Sequence, residues 1–106
     1  MSDNYVSIHQ SREAAEAHAK LVNAIESLPD PTPCAEVGGD VFFPEGNTQG
    51  SYDWHAEKLA VKVCFHCPIL GLCADYAIKH EEIGVWGGLS ARERRLTRKM
   101  LGITLQ

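Results

Sequence analysis

Long apolar runs are missing from this sequence: no window reaches the roughly 18 consecutive apolar residues that a membrane-spanning helix needs, so no membrane association is expected. Met1 to Gln10 lack a basic start followed by an apolar stretch, which argues against a secretory leader. Internal repeats and low-complexity tracts are absent. So are a phosphate-cradling glycine loop, a nucleophile elbow and convincing paired carboxylates, which leaves conventional enzymology little to stand on. Glu81 and Glu82 are adjacent, point in different directions at a helix end, and read as solvated. Cysteine is scarce, with four among 106 residues. Without a leader, a reducing cytoplasmic setting is expected, where four thiols are metal ligands sooner than disulfides.

What remains is one domain's worth of chain with room for a tail. A domain this small buries only roughly 60–70% of the surface its unfolded chain exposes, so anything that staples it matters. The net charge of −4 is unevenly spread. Residues 89–106 carry Arg92, Arg94, Arg95, Arg98 and Lys99 against Glu93 alone, while the rest is acidic. Such an imbalance suits a protein that touches nucleic acid with one end, although a solvated helix face is the commoner meaning of a charge run.

Helical periodicity dominates. Ser7 and Gln10 form a plausible capping box ahead of Ala14, Ala17, Leu21, Ala24, Ile25 and Leu28, and Pro29, Pro31 and Pro33 stop that helix. Residues 34–52 read as an irregular stretch around the apolar knot Val41-Phe42-Phe43, too long to be structureless unless something organises it. Asp53 caps a second helix through Trp54, Leu59 and Val63 to about Cys64. Pro68 suits the first turn of a third, with Ile69, Leu72, Cys73, Tyr76 and Ala77. Gly84-Val85-Trp86-Gly87-Gly88 is expected to form a tight turn displaying its tryptophan. Ser90 and Glu93 make another capping box, opening a basic helix with Leu96, Met100 and Leu101 on one face and Gly102 at its end. The expected fold class is mainly α, a small domain of about four short helices.

Cys34, Cys64, Cys67 and Cys73 account for every thiol. Cys64-x-x-Cys67 brings two sulfurs to one face, Cys73 lies about a turn into the next helix, and Cys34 closes the site across the loop. Four thiolates satisfy either tetrahedral zinc or an iron–sulfur cluster. One Cys-x-x-Cys knuckle with a remote partner suits the bulkier cluster better, but spacing leaves both open. His55, His66 and His80 are potential substitute ligands that read more simply as spare, solvated side chains.

With these residues in hand, the sequence closely resembles the WhiB-like family of small iron–sulfur proteins of actinobacteria and their phages. The resemblance covers residues 34–100 and rests on Cys34, the triplet Cys64-x-x-Cys67-x5-Cys73, the turn Gly84-Val85-Trp86-Gly87-Gly88 and the loop Phe42-Phe43-Pro44-Glu45-Gly46. It implies a [4Fe–4S] cluster on the four cysteines. It also implies docking on the C-terminal region of the primary sigma factor of RNA polymerase, through an apolar surface of Phe42, Phe43 and Trp86 carried by Pro44, Gly84, Val85, Gly87 and Gly88. Arg92, Arg94, Arg95, Arg98 and Lys99 would then reach promoter DNA at its phosphates. Trp54, Phe42, Phe43 and Phe65 are expected to shield the cluster, whose loss to oxygen or nitric oxide would act as a signal. The resulting division is an N-terminal helical segment (1–33), a cluster and sigma-binding domain (34–88) and a basic C-terminal helix and tail (89–106). The Arg-Gly-Arg hook of some members does not occur here. A different possibility is a cluster-free disulfide reductase using Cys64 and Cys67.

Overall fold

The structure, a computed structural model, describes residues 11–46 and 51–106. The Ser7–Gln10 capping box lies outside the described residues. Five α-helices and a single 3-10 turn form the regular structure of the described part: α1 (Arg12–Glu26), α2 (Pro33–Val37), the turn Asp40–Phe42, α3 (Trp54–Cys64), α4 (Leu70–His80) and α5 (Ala91–Leu101). The fold is mainly α, as expected, with one helix more than the periodicity suggested. None of the described helices is long and apolar enough to cross a membrane.

The starts follow from short polar side chains. Ser11 accepts from the Ala14 amide at 2.9 Å and opens α1; Asp53 accepts from the Ala56 amide at 3.0 Å and opens α3. At α5 the capping box closes in both directions, with Glu93 N–H donating to Ser90 Oγ at 3.1 Å and Ser90 N–H to Glu93 Oε1 at 2.8 Å. Two proline expectations need correction. Pro33 opens α2, where its fixed φ and missing N–H cost nothing. Cys34 therefore rides on a short helix and not on a loop. Pro68 lies in the turn before α4, which begins only at Leu70.

Two small apolar clusters form the core. Phe42, Ala60, Cys64 and Val85 make the first; Leu21, Tyr76 and Ala77 make the second, with Cys73 and Trp86 packed against it. α3 rests on the 3-10 turn and on α2, while α4 rests on α1 and α5. The second cluster thus ties the N-terminal helix to the body of the domain. Between α4 and α5 the chain reverses at Trp86-Gly87-Gly88-Leu89, where Trp86 and Leu89 exchange two backbone hydrogen bonds of 3.1 and 3.0 Å. Gly87 and Gly88 adopt φ of +58° and +80°, the left-handed pair that a two-residue reversal requires. A Cβ on Gly87 would stand 2.4 Å from the Ala74 amide nitrogen, so this turn presses directly on α4.

Candidate metal centre

All four cysteines line one cavity of about 340 Å³, set between the two apolar clusters and walled by Leu21, Phe42, Leu70, Val85 and Trp86. Each thiol arrives on a different piece of chain. Cys34 is exposed on α2, Cys64 is the buried last residue of α3, Cys67 sits in the turn that follows, and Cys73 lies in the first turn of α4. The turn is held by the Cys67 amide donating to the Cys64 carbonyl at 3.0 Å. His55, His66 and His80 do not line this cavity. His55 and His66 are exposed as expected, but His80 is buried, its ring 5.4 Å from that of Tyr76. Among the described residues, no three His, Cys, Asp or Glu side chains meet at the spacing of a single metal ion.

Burial pushes the Cys64 thiol up, and the neighbouring Cys34 and Cys67 add to the effect. Burial first, then Cys64, pushes Cys73 up to about 12. Backbone hydrogen bonds from Gly88 and Gly87 to Cys64, and from Gly87 to Cys73, work in the opposite direction by favouring thiolate. Cys64 is also buried, which limits access to its sulfur. Cys34 has a different partner: Thr32 Oγ1 lies 3.1 Å from its Sγ.

The two motifs assigned to partner contact do come together. The Val85 amide donates to the Phe42 carbonyl at 2.7 Å, and the Gly84 amide to both Glu45 carboxylate oxygens at 3.1 and 3.2 Å. This stitches residues 42–45 onto the glycine turn. A Cβ on Gly84 would meet Phe43 at 2.8 Å and Trp86 Nε1 at 3.0 Å, so only glycine lets these rings flank that position. Phe42, Pro44, Gly84, Val85, Gly87 and Gly88 are buried, whereas Phe43 is 40% exposed and Trp86 half-buried. Phe42 therefore belongs to the core and cannot form the outer surface. Trp86 is not isolated by its glycines either: its ring packs 5.6 Å from Tyr76, and its Nε1–H donates to the Ile83 carbonyl at 3.0 Å.

The basic helix is turned over relative to expectation. Leu96, Met100 and Leu101 face solvent, while Arg94 and Arg98 point inward and are 0% and 7% exposed. Arg94 donates to the carbonyls of Gly84 (2.7 Å), Leu89 (2.8 Å), Ile83 (2.9 Å) and Glu81 (3.3 and 3.4 Å). Arg98 donates to the Ile78 carbonyl at 2.9 Å. Neither can serve phosphates. Arg92, Arg95 and Lys99 remain exposed, with the Arg92 guanidinium 5.3 Å from the Trp54 ring centroid. Trp54 and Phe65 are themselves 56% and 65% exposed and do not line the cysteine cavity, so they are not its shield.

Comparison with known proteins places this arrangement. A family model described as "Transcription factor WhiB" matches residues 30–96, which hold all four cysteines, both stitched loops and half of α5. The chain belongs to the WhiB family. Transcriptional regulator WhiB2 of Mycobacterium tuberculosis (strain ATCC 25618 / H37Rv) is 39% identical over 75 residues, 68% of this chain and 74% of its own. Transcriptional regulator WhiB of Streptomyces coelicolor is 41% identical over 69 residues, covering 62% and 69% of the two chains. A redox- and pH-responsive transcriptional regulator, WhiB3 of Mycobacterium tuberculosis (strain CDC 1551 / Oshkosh), is 34% identical over 67 residues, covering 62% and 66%. No solved structure matches.

Two residues of this WhiB-family chain gain a role that its sequence did not suggest, Thr32 beside Cys34 and Glu45 on the glycine turn, while Arg94, expected at DNA, is a buried clamp. Glu45 was visible inside the Phe42–Gly46 motif without a role. Glu81, taken as solvated, is also buried, and its carboxylate accepts from Tyr76 OH at 2.5 Å. Nothing in the local sequence separates Arg94 from Arg95; only the packing of α5 does.

Proposed function

We propose that Cys34, Cys64, Cys67 and Cys73 hold a [4Fe–4S] cluster, and that this chain regulates transcription by binding the C-terminal region of the primary sigma factor of RNA polymerase beside promoter DNA. The observation that carries the reading is the convergence of all four thiols on one cavity. A cavity of about 340 Å³ lined by the four thiols has room for a multi-iron core. When bound, such a group supplies redox and nitric-oxide reactivity and a staple across four segments.

The chain's own residues do the rest. Phe43 and Trp86 form the apolar contact for sigma, held side by side by Gly84, Glu45 and Arg94. Aromatic anchors of this kind are frequent interface hot spots. Arg92, Arg95 and Lys99 face DNA and position the protein on phosphates without reading sequence. The redox and pH responsiveness named for the M. tuberculosis WhiB3 relative accords with a cluster-based signal.

Anaerobic co-expression with the sigma C-terminal domain tests the proposal. A brown complex with about four irons per chain, co-eluting with the sigma domain and lost in Trp86→Ala, is expected. A brown protein that ignores sigma would sink the partner; a colourless protein with one zinc would sink the cofactor.

A further inference from the structure

Thr32 stands where a threonine ordinarily serves a helix. It immediately precedes α2, and its carbonyl accepts from the Ala35 amide at 3.0 Å, yet its hydroxyl makes no capping bond. Oγ1 lies instead 3.1 Å from Cys34 Sγ. The residue is 3% exposed, so water does not compete for that hydroxyl, and β-branching leaves it few rotamers. Its backbone also fixes the step from Pro31 onto α2, the short helix that carries the exposed Cys34.

A ligating thiolate has no proton to give, so between these two atoms only the hydroxyl can then donate. Cys34 thus has a side-chain donor, which a single substitution can remove. Hydrogen bonds to cluster sulfurs are one of the means by which proteins set cluster potential, because they favour the more negative, reduced state.

We propose that Thr32 is a positioning residue of the metal centre: its hydroxyl donates to Cys34 Sγ, aims that sulfur at the cavity and raises the potential of the bound cluster. This rests on the [4Fe–4S] reading above. A one-electron reduction adds one negative charge across the core and its four sulfurs, and the Thr32 dipole offsets part of it at Cys34.

The test is mediated potentiometric titration of the anaerobic full-length protein, followed by electron paramagnetic resonance, with dithionite as the electron source. Thr32→Val keeps the shape and loses the hydroxyl; Thr32→Ser keeps the hydroxyl. Thr32→Val is expected to shift the reduction equilibrium roughly tenfold toward the oxidised state, about 59 mV for one electron, while Thr32→Ser stays at the wild-type value. Retention of iron by Thr32→Ser but not by Thr32→Val would also support the role, since Cys34 ligation would then need the hydroxyl. An unchanged potential in Thr32→Val, or an equal change in both variants, overturns it. Iron analysis of the wild type comes first: without four irons the cofactor reading itself falls, and the role of Thr32 falls with it.

Discussion

At the scale of single residues, Arg94 and Arg95 are neighbours in sequence and opposites in burial. Burial pushes the Arg94 guanidinium down to about 10, which leaves it charged at neutral pH, with its five hydrogen bonds ending on carbonyl oxygens of residues 81–89. Removing it would orphan buried acceptors and open a cavity. Arg94→Ala is therefore expected to lower stability by about 3 kcal/mol or more in urea unfolding. Arg94→Lys should recover only part of this, because an ammonium lacks the planar fork. Arg95→Ala should stay within about 0.5 kcal/mol of wild type and, if Arg95 makes the proposed phosphate contact, weaken DNA binding and reduce its salt slope by about one. Tyr52 offers a pH test of the same local kind. Burial and its 2.6 Å hydrogen bond to Glu57 raise its pKa well above the ordinary tyrosine value near 10. Above about pH 10 the unfolded chain gives up a proton that the folded chain keeps, so stability should fall as pH rises. Tyr52→Phe should flatten that alkaline limb; an unchanged slope would remove Tyr52 from the account.

At the scale of elements, periodicity located helices better than it assigned their faces. α1 follows its apolar positions inward, with Ala14 and Leu21 at 0% and 3% exposure. Leu21→Ala is expected to cost about 2–5 kcal/mol in denaturant unfolding, since Leu21 packs on Tyr76 and Ala77 and also walls the cysteine cavity. That would make α1 part of the metal site although it precedes the family-matched region. α5 obeys the capping signals and defies the apolar ones. Arg94 donates to the carbonyls of Glu81, Ile83, Gly84 and Leu89, a task that Leu96 could not perform. An unpaired buried carbonyl costs more than an exposed leucine. α2 was hidden for another reason: five residues carry too little periodicity to register, and its first is a proline that also reads as a stop.

At the scale of the whole molecule, two small apolar clusters meet across a cavity that the four cysteines surround. Neither cluster is large, so a metal group joining α2, α3 and α4 would contribute on the order of 10 kcal/mol, comparable with the stability of such a fold. Removing it anaerobically with a chelator is expected to lower helical circular dichroism and abolish sigma binding together. Full retention of both would show that the apolar clusters suffice and that the metal does not act through folding. The same layout would make the proposed contact surface depend on the site, because Trp86 walls the cavity.

The sequence by itself determined the mainly helical class, the caps at Asp53 and Ser90 and the sharp glycine reversal. These depend on local chemistry: which side chains accept from a helix's first amides, and which backbones tolerate positive φ. Tertiary structure alone decided that Phe42 is core while Phe43 is surface and that two of the five C-terminal cations are buried. Those outcomes turn on what lies across the fold, Val85 against Phe42 and the carbonyls of Gly84 and Ile78 against Arg94 and Arg98, and no local spacing encodes what a side chain will face there.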